Sequence, residues 1–451
     1  MKILFVVHGF LPFSSTGVEN YTFTLAKELK KRHDVLIYTA RFDPLKEKYS
    51  DFSYQYNGVN VVGFFHDSTY KNFSETYSSE IADKKFNELV ERFKPEIVHF
   101  QHLIFHSVGY VKALQKRDIP SVLTVHDFYY YCPNLGQRLF LGRFSCKNKT
   151  PIKCAICFRT AKTNITAIDK AIYKSSKRID FLSKISSAFP ELSLLIKWLR
   201  ILRIHPTVDE IILREREMFS FLGKMNLIIS PSIHYKNFYY RISGHQNIVY
   251  LDYGFEKRRQ KSRLSHQYNV LTLGFIGTIS RHKGAHLLVE LAREMGDQIR
   301  IIVWGNDKND LILSRKLKSL TNVEYRGVFK PEEKGKIYKE IDYLLVPSIW
   351  EENSPLVIHE SILYRTPIIA SAMGGNKELI IEGKNGFLFD PNKRGALIDL
   401  IKKILKERVQ IKIDDDSVVM DISTHATTIE MLYNSLKKSR PERANPEFPT
   451  T

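Results

Sequence analysis

The chain has 451 residues, 43% of them hydrophobic and 12% aromatic, which excludes a disordered protein and predicts two domains rather than one ordinary core. Lys and Arg number 68 against 49 Asp and Glu, a formal charge of +19, and such a surface attracts the phosphates of a small substrate or anionic lipid headgroups. The cations are not gathered in one block with interleaved aromatics, so no nucleic acid is expected, and no run nears the roughly 18 apolar residues of a membrane span.

Met1–Gly9 carries one basic residue, a short apolar run and no small-residue cleavage site; it reads as a first strand, not a signal peptide. Ile3–Val7, Val35–Thr39, Val59–Phe64, Ile97–Phe100 and Val122–Val125 are short buried-strand signatures, with helical patterns over Asn20–Lys31, Phe86–Phe93 and Val108–Gln115. The stretch of about 132–219 breaks this rhythm as an insertion. Leu227–Ser230 and Ile248–Tyr253 then restore strands and complete a first domain, 1–255. A polar, basic linker follows over 256–266. A second series, 267–415, has strands at Val270–Ile276, Ile301–Val303, Val323–Tyr325, Tyr343–Val346 and Pro367–Ala370. Helical patterns lie at His286–Met295, Glu332–Ile341 and Pro355–Tyr364. A C-terminal helix over 416–438 is placed to cross back to the first domain, and 439–451 reads as a disordered tail. Strands alternating with helices predict α/β architecture: two Rossmann-like, doubly wound parallel sheets facing a cleft that holds the ligands.

The densest signal is Val346-Pro-Ser-Ile-Trp-Glu-Glu-Asn-Ser-Pro-Leu-Val-Ile-His-Glu360, a buried strand running through a loop into a helix. Carboxylates accept hydrogen bonds from two sugar hydroxyls at once, so Glu352 and Glu360 suit a hexose and a ribose. The N–H groups at the helix start suit a phosphate. The competing reading is a pair of solvated surface acids. A Pro-led apolar strand from Thr366, then Gly374-Gly375, Glu378 and Gly383…Gly386, weighs toward the site.

This run resembles the signature of glycosyltransferase family 4, and the resemblance extends from His8 to about Tyr433. It implies the two-domain GT-B fold and retaining transfer from a nucleotide-diphosphate sugar. By resemblance, Glu352 contacts the transferred sugar and Glu360 the nucleotide ribose. Asn353, Ser354, Leu356 and Val357 lie against sugar and phosphate. The acceptors implied are cell-surface polysaccharide, lipid-linked oligosaccharide or glycolipid, worked on in the cytoplasm at the inner face of the membrane. No cofactor is implied for catalysis.

Gly277-Thr-Ile-Ser-Arg281-His-Lys283-Gly284 ends a strand in glycine and supplies two cations before a helix, as a diphosphate requires. The family's lysine matches Lys283. Its arginine position is Thr278 here, with Arg281 as the substitute. In the N-terminal loop, Gly17 opens a helix and permits close backbone approach, but Thr16 replaces the first of the family's paired glycines. A plain strand–helix connection is the alternative. Val122-Leu-Thr-Val-His126-Asp127 runs a strand straight into a histidine at the sheet's carboxyl end. Read alone, His126 is a satisfied structural histidine. The resemblance assigns it, with Glu352, a catalytic role in orienting the donor and stabilising the transition state. Arg214, Arg216 and the strand from Leu227 resemble the family's approach to its second domain, with Asn226 where Asp is common.

Cys132, Cys146, Cys154 and Cys157 are the chain's only cysteines, all in the insertion. Their clustering fits a structural zinc, and equally four reduced thiols in a buried loop; a disulfide scaffold is not expected of so long a chain. Lys170, Lys174, Lys177, Arg178 and Lys184 lead into 192–204, where Lys197, Arg200 and Arg203 share one side of an apolar helix. That segment fits either peripheral membrane contact or packing on its own domain. The one Asp-x-Asp run, Asp414–Asp416, reads as a surface turn, so no catalytic metal is expected. A nucleotide-sugar-modifying dehydrogenase or epimerase needs Gly-x-Gly-x-x-Gly after the first strand, which His8-Gly9…Gly17 does not supply. A basic membrane-surface or nucleic-acid binding protein on this scaffold would not need Glu352, Glu360 and Lys283 together.

Overall fold

The computed structural model describes residues 1–142, 144–158, 205–257, 270–307, 309–414 and 416–438. The predicted amphipathic segment 192–204, most of the linker and the tail 439–451 lie outside the described residues.

In the first half, β1 (Lys2–Val7), α1 (Gly17–Leu29), β2 (Asp34–Phe42), β3 (Asp51–Tyr56) and β4 (Val59–His66) precede α2 (Glu80–Phe93), β5 (Ile97–Phe100), α3 (Tyr110–Gln115) and β6 (Ser121–Thr124). A hairpin of β7 (Leu139–Phe140) and β8 (Phe144–Ser145) leads to α4 (Pro151–Phe158). Then come α5 (Val208–Gly223), β9 (Leu227–Ser230), α6 (Ile233–Ser243) and β10 (Ile248–Tyr250). The sheet order is β10-β9-β6-β5-β1-β2-β4-β3. Its central strands are apolar on nearly every residue because both faces are covered. Leu4 and Val6 join one core cluster and Ile3, Phe5 and Val7 the other, the two-residue period of a strand dividing them. All pairings are parallel except β3–β4. The sequence reading missed β3; its signal was Asn57-Gly58, both at positive φ, which closes a tight hairpin.

After β11 (Gly254–Phe255), the second half has β12 (Leu271–Ile276), α7 (Ala285–Met295), β13 (Ile299–Trp304), α8 (Leu311–Lys318), β14 (Val323–Gly327), α9 (Lys334–Glu340) and β15 (Tyr343–Val346). It continues with α10 (Leu356–Leu363), β16 (Ile368–Ser371), α11 (Asn376–Leu379), β17 (Gly386–Phe389) and α12 (Ala396–Glu407). These strands form a parallel sheet in the order β14-β13-β12-β15-β16-β17 around a core of its own. The order reverses between β12 and β15, so the loops leaving those two strands part to opposite sides and open a crevice.

β18 (Met420–Asp421) pairs with β11, and α13 (Ile422–Lys438) lies on the first half. Ala426, Ile429 and Tyr433 of α13 enter the first half's core. Glu430 pairs with Arg32, and the Tyr433 hydroxyl meets His99 Nδ1 at 2.6 Å.

This half is rich in buried histidine. Burial drives His66, His99 and His106 down to about 3, and His8 and His425 to about 4. Below an unfolded value near 6.5 the unfolded chain takes up protons that these sites refuse, so stability falls as pH drops from about 6.5 toward 4. Melting curves between pH 7.5 and 4.5 should show that decline, with a shallower slope in His99→Gln. A melting temperature flat across the range would contradict it.

Candidate active site

The crevice of the second sheet brings together two loops, 277–284 after β12 and 347–355 after β15. Gly284 has φ +77, and a Cβ there would stand 1.8 Å from the Pro347 carbonyl, so only glycine lets the loops meet. The Gly374-Gly375 turn does the same from β16. A Cβ on Gly374 (φ +54) would fall 2.1 Å from the Glu352 carbonyl, and the Gly375 N–H donates to that oxygen at 2.8 Å. The backbone of Glu352 is thereby clamped.

Its carboxylate is buried and accepts from Lys283 Nζ at 2.7 Å and Ser348 Oγ at 2.5 Å. Burial alone would raise the Glu352 carboxyl, but Lys283 and the hydrogen bonds hold it below the ordinary carboxylate range. Lys283 also lies 4.8 Å from the Trp350 ring. Arg281 stands exposed on the same loop, two residues before Lys283. On α10, Glu360 accepts from Tyr338 at 2.9 Å and pairs with Lys334. The two carboxylates are thus held by different cations.

The next residues cross to the first half. Asn353 Nδ2 donates to the Val125 and His126 carbonyls at 2.8 and 3.3 Å, and its Oδ1 accepts from Ser232. Ser354 Oγ bonds Asp252 and His359 at 2.6 and 2.7 Å. In this arrangement both side chains join the two halves, leaving the backbone and Leu356–Val357 at the helix start. A Cβ on Gly17 would lie 3.7 Å from Leu356, so the N-terminal loop closes over the start of α10.

Thr16 takes the N-cap position of α1; its N–H donates to Glu19 Oε2 at 3.1 Å, and its hydroxyl bonds the same oxygen. Burial opposes the Glu19 charge, but His8, Ser14 and Thr16 bring its carboxyl below the ordinary range. His126 Nε2 meets Gln101 Oε1 at 2.9 Å and Nδ1 meets the Tyr253 hydroxyl at 2.6 Å. The amide oxygen can only accept, so Nε2 carries the proton and Nδ1 accepts. Burial pushes this imidazole well below its usual value, and it is neutral. Beside it, His102 Nε2 lies 3.1 Å from Asp127 Oδ2.

Two further bridges between the halves have first-half partners that belong to no sequence motif. Glu351 pairs with Arg138 and, at 3.1 Å, with His234. Glu378 accepts the Ile233 and His234 N–H groups at the start of α6, both at 2.7 Å.

The family model described as "Glycosyl transferases group 1" matches residues 255–416, and "Glycosyltransferase Family 4" matches 15–148. The chain belongs to glycosyltransferase family 4. A D-inositol 3-phosphate glycosyltransferase of Corynebacterium urealyticum is 26% identical over 182 residues, 37% of this chain and 41% of that protein. The Bacillus subtilis spore coat protein SA is 29% identical over 25% of this chain and 33% of that one. The chain thus spans well under half the length of these curated relatives. Anabaena HepE in complex with UDP and glucose superposes with a TM-score of 0.61 at 15% identity, covering 96% of this chain and 100% of that one. Sucrose-phosphate synthase from Thermosynechococcus elongatus gives 0.60 at 15% identity, covering 97% and 100%. These likenesses show the GT-B fold.

The cysteines of this family 4 chain lie around the β7–β8 hairpin and α4. Cys157 Sγ accepts from Leu141 N at 3.2 Å and Asn134 Nδ2 at 3.3 Å. Burial raises the thiols of Cys132, Cys157 and Cys154, the last to about 12. Among the described residues no three His, Cys, Asp or Glu side chains are grouped to hold a metal ion, while the Cys154 thiol feels Cys132, Cys146 and Cys157 around it. Asp416, in the Asp-x-Asp run, pairs with Arg365 and Lys257.

Metal analysis of the purified chain should find substoichiometric zinc, unchanged in Cys154→Ser; one zinc per chain, lost in that variant, would show the thiols converging. Lys283→Ala leaves Glu352 buried without its cation, which should cost about 1–3 kcal/mol at pH 7.5. The stranded carboxyl then rises above its unfolded value, so the deficit should shrink as pH falls toward 5. Urea unfolding of both proteins at each pH checks the sign.

Proposed function

We propose that the protein transfers a sugar, with retention, from a nucleotide-diphosphate sugar to a cell-surface polysaccharide, lipid-linked oligosaccharide or glycolipid. The observation that carries this reading is the Lys283–Glu352 pair at the point where the strand order of the second sheet reverses. A cation and a carboxylate 2.7 Å apart offer adjacent partners for a diphosphate and a hexose hydroxyl. Donor entry opens the pair: Lys283 turns to the leaving phosphate, and Glu352 accepts from the sugar.

Glu360, one helix further on, receives the ribose hydroxyls in place of Tyr338 and Lys334. The N–H groups at the start of α10 and the exposed Arg281 add positive potential where charge develops on the departing diphosphate. The leaving phosphate itself takes the acceptor's proton, so no side chain acts as general base. Neutral His126, held by Gln101 and Tyr253, presents the strand-end backbone to the cleft and orients the donor beside Asn353. Thr16 and Gly17 bound the acceptor side. No metal takes part in this scheme. The enzyme works in the cytoplasm at the inner face of the membrane; no described helix is long and apolar enough to cross it.

The test is nucleotide release from a panel of UDP-, GDP- and ADP-sugars, with thermal shift for binding. One donor should stabilise the protein. Glu352→Gln should lower turnover by about a hundredfold or more, whereas Glu360→Gln should chiefly weaken donor binding. Unchanged turnover in both variants would sink the reading.

A further inference from the structure

The hairpin of β7 and β8 and the helix α4 expose more apolar surface than their packing explains. α4 buries Cys154, Ala155, Cys157 and Phe158, yet Ile152 and Ile156, one turn apart on its other face, are 61% and 43% exposed. The hairpin adds Phe144 at 63% and Leu141 at 37%. Leu141 is tied to the end of α4 by its N–H on Cys157 Sγ, so hairpin and helix are one unit. A solvated helix carries polar residues on its outer face, and contiguous apolar exposure marks an interaction surface.

The charge of the unit is one-sided. From Gln137 to Phe158 the sequence has Arg138, Arg143, Lys147, Lys149 and Lys153 and no Asp or Glu. Arg138 pairs with Glu351 and Lys149 with Glu215. Lys147 and Lys153 stand exposed beside the apolar residues, and the acid that feels Lys147 is Asp390 of the second half. Large apolar side chains flanked by cations suit an interface where acyl chains lie under anionic headgroups, on a chain whose net charge is +19.

We infer that Leu141, Phe144, Ile152 and Ile156, flanked by Lys147 and Lys153, form a docking surface for an anionic lipid bilayer. The inference rests on the proposed reading that the acceptor is carried on lipid. Arg138, at the root of the hairpin, pairs with Glu351, next to Glu352. A docked bilayer would therefore lie beside the entrance to the cleft, where a lipid-borne acceptor has the shortest path to the donor.

The full chain should co-sediment with vesicles of phosphatidylcholine mixed with phosphatidylglycerol, and far less with phosphatidylcholine alone. The combined variant Phe144→Ser, Ile152→Ser, Ile156→Ser should lower the partition coefficient at least about tenfold while melting as the parent does. Should that variant fail to fold, Phe144→Trp is read against the parent, whose three tryptophans supply the background: the emission it adds should shift to the blue on anionic vesicles and be quenched by brominated acyl chains. No binding of the parent, equal binding by the triple variant, or an indole in Phe144→Trp that brominated chains leave unquenched would overturn the inference. So would a triple variant that converts a dimer to a monomer, since a second copy would then cover the face. Thermal shift with the nucleotide-sugar panel separates the two proposals. Donor binding without vesicle binding sinks only the docking surface, and vesicle binding without donor binding or turnover sinks only the transferase reading.

Discussion

A buried carboxylate has to be paired, and in this protein Glu352 is paired with Lys283. The partners are 69 positions apart in the chain, so their meeting depends on everything that places the loops after β12 and β15 side by side. The parallel sheet does this by reversing its strand order between those strands. Gly284 then permits the approach of one loop to the other, and Gly374 permits the turn that clamps the Glu352 backbone. Replace either glycine and the carboxylate loses its cation or its position.

The same short loop also joins the halves of the molecule. Glu351, Asn353 and Ser354 each reach across to the first half, through Arg138 and His234, the Val125 and His126 carbonyls, and Asp252. Glu352, between them, is the residue that does not cross. The Glu352 carboxylate is therefore held in a segment whose neighbours on both sides are bonded to the first half, and Glu378 on the start of α6 adds a further bond between the halves.

His126 shows what burial adds to a motif. Read alone at a strand end it is a satisfied structural histidine, and both ring nitrogens are engaged, one by Gln101 and one by Tyr253. Burial keeps it neutral, and its main-chain carbonyl meets Asn353. Thr16 makes a similar point: where the family's pattern has glycine, its N–H and hydroxyl are turned inward to a buried Glu19 instead of outward to the cleft.

Much of the architecture was legible in the sequence because strand burial and helix amphipathicity are local. A fully buried parallel strand must be apolar on consecutive residues, as in Ile3–Val7 and Tyr343–Val346, and α13 falls within the 416–438 helix read from the chain. The edge strand β3, half-exposed and built from Asp, Ser, Gln and aromatic residues, escaped because it has no such run. Of the candidate site the residue types were legible: Glu352, Glu360 and Lys283 as two carboxylates and a cation, and Gly284 and Gly374 as points of close backbone approach. Their partners were not. Lys334 and Tyr338 belong to no motif, and the Arg138–Glu351 pair joins residues 213 apart. Which cation neutralises which carboxylate, whether a histidine is free, and whether clustered cysteines converge depend on side-chain directions that only the packed tertiary structure decides. Sequence determines what chemistry is available. Burial and distance decide which groups are left to use it.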